Sequence, residues 1–448
     1  MNDYRLVADE VAADIGAGRL RPGDRLPTQR DFARRRAIAD STAARVYKEL
    51  ARRGLTVGEV GRGTFVRATA PLPGPALAEP SASRIDLELN HPVVPGQAAL
   101  LADGLGALLR PGVLESSMRP VGAAGTPVAR DRVRDLLARG DWRPSPDGVL
   151  FAGNGRQAIA GAMAALAPPG TRVGVEELTY PLLKTIAGHL GVTLVPLAVD
   201  EAGLLPGAVE AAFRRAPLNA VYLQPTLHNP LSLTMPPERR AEIADVLERL
   251  DVHAIEDSVW SFLYEDVPPL AAFAPGRVLL IDSLSKRLAP GLTLGFAVVP
   301  EAVSAHVATA LRAGGWTATR FAIEAAVRWI GEGAESTAGT VARAKRRDAA
   351  LRQEIATRQL GGFAVRGDPR SYYCWWELPK PWRTDTFVAA AARQGIAVTP
   401  AAAFAVGRYR APNAVRVGLA SPPAETLERA LSTLARLARS TPEELLAE

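Results

Sequence analysis

The chain has 448 residues, 48% of them hydrophobic, and a formal net charge of +6. That length supports two or three domains with a sizeable core. It holds no run near the ~18 uninterrupted apolar residues that a membrane span requires. The start, Met1-Asn2-Asp3-Tyr4-Arg5, lacks the apolar stretch of a secretory signal. Cys374 is the only cysteine, which excludes an internal disulfide and leads us to expect a cytoplasmic setting. Neither it nor the His residues show metal-ligand spacing, so no metal is expected.

Residues 1–67 carry 14 Lys and Arg against 9 Asp and Glu, so nearly all of the net charge belongs to this short module. That distribution points to a polyanionic partner at this end of the chain. Tyr4, Val7, Val11 and Ile15 share one helical face, and Gly16 and Gly18 end that helix. After the turn-rich Leu20 to Pro27, Thr28 is placed to cap a second helix, with Asp31 three positions on. A third starts near Asp40 or Ser41 and ends at Gly54, with Ala44, Tyr47 and Leu50 inward. Leu55-Thr56-Val57 and Thr64-Phe65-Val66 then read as a hairpin. Such a winged helix-turn-helix lays its third helix in a DNA major groove. Arg45 is placed to read a guanine edge, and Ser41 and Thr42 to hold phosphates. Arg30, Arg34, Arg35 and Arg36 flank the backbone, and Arg62 at the wing tip suits a narrow minor groove. The runs Gly23-Asp24-Arg25-Leu26-Pro27-Thr28-Gln29-Arg30-Asp31, Val46-Tyr47-Lys48-Glu49-Leu50 and Gly61-Arg62-Gly63-Thr64-Phe65-Val66 make this segment similar to the GntR-family DNA-binding domain.

Residues 68–83 contain four prolines and no periodic pattern, the composition of a semi-extended tether. At ~3.1 Å per residue in a polyproline-like state it reaches roughly 50 Å, enough for the head to lie over a neighbouring subunit.

From residue 84 onward short apolar strands alternate with helical stretches, as in an α/β domain with a mostly parallel sheet. Val149-Leu150-Phe151, the turn Gly153-Asn154-Gly155 and a helix from Arg156 to Ala167 make a strand, turn and helix N-terminus, which together attract an anion. Arg172 to Val175 delivers Tyr180, an aromatic able to stack on a flat ring. Ala220 to Leu223 leads to Asn229, and Val252 to Ile255 to Asp257 and Trp260. Val278-Leu279-Leu280-Ile281 ends in Asp282-Ser283-Leu284-Ser285-Lys286-Arg287. Ligands of such sheets lie outside the carboxyl ends of the strands. A lysine partly buried there loses its proton readily and attacks an aldehyde. A buried carboxylate keeps a pyridine nitrogen protonated. Further on, Arg343 to Arg358 is a charged helix. Tyr372 to Leu378 is a strand whose aromatics read as packing, and a last helix runs near Pro423 to Arg439.

In that order these elements resemble a fold-type I aminotransferase that binds pyridoxal 5′-phosphate, over about residues 86–440, with a small α/β subdomain at about 340–448. With the basic head, the whole chain resembles the MocR subfamily of GntR regulators. The resemblance implies that Lys286 forms the internal aldimine. It implies that Asp257 pairs with the pyridine nitrogen, Asn229 with the phenolic oxygen, and that Tyr180 stacks on the ring. Gly155, Arg156 and Ser283 would lie near the phosphate, and Arg416, in Ala414-Val415-Arg416-Val417-Gly418, would hold a ligand's carboxylate. Two positions depart from the family. Thr293 stands where the family has a phosphate-binding arginine, and Arg287 or Arg156 is expected to supply the charge. Trp260 stands near a family tyrosine, and an indole can donate but not accept a proton. The implied protein is a cytoplasmic homodimer, head to tail, bound to operator DNA, that senses an amino compound or pyridoxal phosphate itself and does not turn over as an enzyme. The alternative is an active aminotransferase with an appended DNA-binding head.

Overall fold

The computed structural model describes residues 4–441 except 17–18, 22, 53–54, 60–62, 67–84, 332, 334 and 408. Arg62 and the Pro-rich tether at 68–83 therefore lie outside the described residues.

The head has three helices, Tyr4–Gly16, Gln29–Arg36 and Asp40–Arg52. Thr28 caps the second, its Oγ1 accepting from the Asp31 N–H at 3.2 Å while donating to Asp31 Oδ2 at 2.7 Å. Val7, Ala8 and Val11 pack on Phe32, Ala33, Ala43, Val46 and Leu50. Ala44, expected inward, is only half-buried, because positions 43, 46, 47 and 50 form the stripe that a 3.6-residue period aligns. Phe32 meets Tyr47 edge-on at 5.4 Å, and the Tyr47 hydroxyl donates to Pro27 O at 2.5 Å. Thr56–Glu59 and Gly63–Val66 pair antiparallel as the wing.

The body is built on a seven-stranded sheet. In spatial order its strands are Val149–Ala152, Gly295–Val298, Val278–Ser283, His253–Asp257, Ala220–Leu223, Arg172–Glu176 and Thr193–Leu197. Gly295–Val298 runs antiparallel to both neighbours; the other neighbouring pairs are parallel. Strands covered on both faces are apolar throughout, with alternate side chains serving opposite layers. Tyr222, Ile255, Leu279 and Ile281 pack toward the helix Gly155–Leu166. Val221, Ala254, Val278 and Leu280 face the other layer. Asp257 and Ser283 continue the first series, and Glu256 and Asp282 the second.

A second sheet holds, in order, Ala364–Arg366, Tyr373–Glu377, Ala414–Gly418, Ile396–Pro400 and Ile85–Leu87. Ile85–Leu87 pairs parallel with Ile396 to Val398, so the small sheet takes a strand from outside the stretch 340–448. The helices Thr337–Leu360 and Ala424–Arg439 pack on each other, and Ile355, Leu360, Leu427, Leu431 and Leu434 join the small sheet's core. Among the described residues no helix is long and apolar enough to cross a membrane.

Candidate functional site

The site lies at the carboxyl ends of the central strands, where the turn Gly153 to Gly155 meets the end of Val278–Ser283. Asn154 caps the helix Gly155–Leu166, its Oδ1 accepting from the Gln157 N–H at 2.9 Å. The first N–H groups of that helix point outward with the positive end of its dipole. A Cβ built on Gly155 would lie 3.2 Å from Ser283 Oγ, so the helix N-terminus and Ser283 bound one small cradle. Gly295 is tighter still. A Cβ there would stand 2.2 Å from Asn154 O, backbone against backbone.

Lys286 sits in the single turn Leu284–Arg287. Burial, with the charges of Arg416 and Arg156, lowers its ammonium from the usual 10.5 to about 7, against the pull of Asp257. A large fraction of the amine is thus neutral at physiological pH. Its Nζ donates to Asn90 O at 2.6 Å and lies 5.1 Å from the centroid of the Trp260 ring. Trp260 itself belongs to a buried aromatic cluster with Phe262, Tyr372 and Tyr373. The Tyr372 to Leu378 aromatics pack in the core as expected, and Tyr373 also lies beside Arg416, whose guanidinium carbon is 5.9 Å from its ring centre.

Asp257 is buried, which raises its carboxyl above the usual range. Three donors oppose that rise. Tyr222 Oη and Gln224 Nε2 donate to Oδ2 at 2.6 and 2.9 Å, and the Val259 N–H to Oδ1 at 3.3 Å. Sequence reasoning missed Tyr222 and Gln224 as site residues. The signal available was the two-residue period, which puts Tyr222 on the face of Asp257.

Asn229 accepts from Arg416 Nη1 at 3.0 Å. Arg416 is buried within Ala414–Gly418, and its Nη2 also donates to Thr399 Oγ1 at 3.1 Å and to the carbonyl of Glu88. Its Nε is buried without a hydrogen-bond partner among the described residues. Burial lowers the pKa of the guanidinium and pushes Tyr180, at the start of the helix Pro181–His189, up to about 12. The charge of Arg156 acts on Lys286, Tyr180 and His91. His91, also missed, is lowered to about 4, by burial first and then by Lys286.

Arg287 is a correction. It does not face the cradle. Its Nε and Nη2 donate to Asp282 Oδ2 at 3.1 and 2.6 Å, on the opposite side of the sheet from Ser283. Asp282 is buried on that face and demands a cation, so Arg287 is not the missing phosphate charge. Arg156 stays beside the cradle. Thr293 faces Ser285, hydroxyl to hydroxyl at 2.5 Å.

In the head, Arg30, Arg34, Arg35, Ser41 and Arg45 are exposed and Thr42 is half-buried. Arg34 is ion-paired with Asp31, and Arg36 with Glu10 at 2.5 Å.

Two families match the chain, one the head and one the body. "Bacterial regulatory proteins, gntR family" covers residues 3–66, and "Aminotransferase class I and II" covers residues 120–434. The chain belongs to the MocR subfamily of GntR regulators. An HTH-type transcriptional regulator of Bacillus subtilis, YdeF, is 32% identical over 97% of this chain and 94% of its own length. The HTH-type pyridoxine biosynthesis transcriptional regulator PdxR of Corynebacterium glutamicum is 26% identical over 68% of this chain and 67% of its own. Among solved structures, an archaeal alanine:glyoxylate aminotransferase superposes with a TM-score of 0.73 at 21% identity, over 81% of this chain and 92% of that one.

The aminotransferase class I and II family that the body matches depends on pyridoxal 5′-phosphate. The residues present fit that group. A cradle that a Cβ would crowd, at a helix N-terminus beside Ser283, suits a phosphate. An amine of pKa about 7 suits an aldehyde, and the triply bonded Asp257 is held in one orientation to face a ring nitrogen.

Proposed function

We propose that this MocR protein is a transcriptional regulator that binds operator DNA through its head and reads an amino compound at its cofactor site. In this reading residues 1–67 bind DNA, 68–83 tether, and 84–448 form the cofactor-binding, dimerising body, in a head-to-tail cytoplasmic homodimer. The observation that carries it is the convergence of Lys286, Asp257 and Arg416 in a chain whose first helices fold as a winged helix-turn-helix.

When bound, pyridoxal 5′-phosphate supplies an aldehyde for amines and a ring that withdraws electrons. The protein's own groups do the rest. Gly155, Arg156 and Ser283 hold the phosphate, and Tyr180 and Trp260 wall the ring. Asp257, fixed by Tyr222 and Gln224, keeps a proton on the ring nitrogen, and Asn229 orients the phenolic oxygen. Lys286 offers a neutral amine. Arg416 takes the carboxylate of the sensed compound. A ligand that contacts the two body subdomains unequally in two states shifts the balance between those states, and the tether passes that shift to the heads.

Lys286→Ala tests this. The variant is expected to lose the visible absorption of the cofactor and the effect of amines on operator binding, while keeping its affinity for DNA. Unchanged amine control in that variant overturns the reading. Conversion of the cofactor to its amino form under steady turnover of an amino donor and a keto acid would favour an aminotransferase instead.

A further inference from the structure

Leaving the small sheet, the chain from Glu88 to His91 passes against Lys286 and Arg416. Asp86 shapes them, its Oδ1 accepting from the N–H groups of Glu88 and Leu89 at 2.8 and 2.9 Å. Two carbonyls of this short segment then meet two cations of the site. Asn90 O accepts from Lys286 Nζ at 2.6 Å, and Glu88 O accepts from Arg416 Nη2.

Arg416 is only 8% exposed. Its Nη1 serves Asn229 at 3.0 Å, and its Nη2 is shared by Glu88 O and Thr399 Oγ1. Its Nε is buried and has no partner among the described residues. A guanidinium grips a carboxylate through two neighbouring N–H groups, and such charged bonds are about twice as strong as neutral ones. The Nε–Nη2 edge offers one orphaned donor and one donor held by a neutral carbonyl. A carboxylate docked on that edge satisfies Nε and takes Nη2 from Glu88.

We propose that Glu88–His91 is a built-in occupant of Arg416 that a ligand's carboxylate displaces, and that this displacement is how occupancy reaches the chain leading to the DNA head. Glu88 lies three residues after Ile85, the first described residue beyond 67–84. The inference rests on the reading given above, in which Arg416 takes the carboxylate of the sensed amine, and adds what that carboxylate displaces. An amine lacking the carboxylate leaves Glu88 on Arg416.

Hydrogen exchange of the peptide spanning residues 85–91, in the full-length protein, tests it. Arg416→Met removes every guanidinium donor and is expected to speed exchange there about tenfold without cofactor or ligand. Should that variant fail to fold, Arg416→Lys decides, with an expected rise of about threefold from the loss of the fork geometry. Exchange at the wild-type rate in the folded variant overturns the proposal. In cofactor-loaded wild type, L-alanine is expected to speed exchange at 85–91, and ethylamine, its counterpart without the carboxylate, is not, compared at equal change in visible absorption. An equal response to both overturns it. Failure of the cofactor reading shows separately, as a wild-type protein with no visible band, and leaves the Arg416 variants decisive.

Discussion

Lys286 owes its chemistry to where its turn ends up. The usual ammonium would be protonated at neutral pH, but burial beside Arg416 and Arg156 brings this one to about 7. The sign follows directly: only the neutral amine attacks an aldehyde, so cofactor capture speeds up as pH rises through 7. Below pH 7 the rate is expected to fall about tenfold per unit, levelling off above it, in stopped-flow absorbance. Asp257 is the complementary case, a buried carboxylate kept ionisable by donors. Tyr222→Phe removes one of them, at 2.6 Å, and pushes the carboxyl further up. Losing a bond to a charged group costs about 2 kcal/mol, so cofactor affinity should drop about tenfold or more in a titration at neutral pH. An unchanged dissociation constant would show that Tyr222 does not tune Asp257.

Between elements, close approach decides what a small substitution does. The strand Gly295–Val298 crosses the turn at Asn154, and a Cβ on Gly295 would meet backbone atoms at 2.2 and 2.3 Å. Neither backbone has room to retreat from a buried sheet. Gly295→Ala is expected to cost about 3 kcal/mol or more, read as a lowered thermal midpoint. Gly155→Ala makes the same chemical change against a side chain, Ser283, at 3.2 and 3.3 Å. A few tenths of an ångström of movement suffices there, and alanine favours a helix. Its stability is expected within about 1 kcal/mol of wild type, while its cofactor affinity falls because the cradle narrows. In the head, Thr28→Ala removes the cap of Gln29–Arg36 and should cost about 1 kcal/mol.

Across the whole molecule the two halves divide their chemistry, and so do the consequences of changing them. Arg45 is exposed on the third helix of the head, far along the chain from Lys286. Arg45→Ala should weaken binding to an operator duplex by about 1–3 kcal/mol if it reads a base. The visible absorption of the bound cofactor should stay as in wild type. A loss of both signals together would mean that the halves are not separable.

Much of this was legible in the residues themselves. Thr28, Asp31 and the inward Tyr47 and Leu50 define the head locally, though the expected Ala44 is misplaced by one position, and each strand of the body announces the polar residue at its end. These are short-range properties, set by period, turn chemistry and capping. What the residues did not disclose is long-range. Asn90 and Glu88 meet Lys286 and Arg416 across 196 and 328 positions of chain. Arg287, next to Lys286 in sequence, turns to the opposite face because Asp282 is buried there. Local pattern chose the strands and their ends; only packing both faces of the sheet decided which neighbours share a side, and hence which charges share the site.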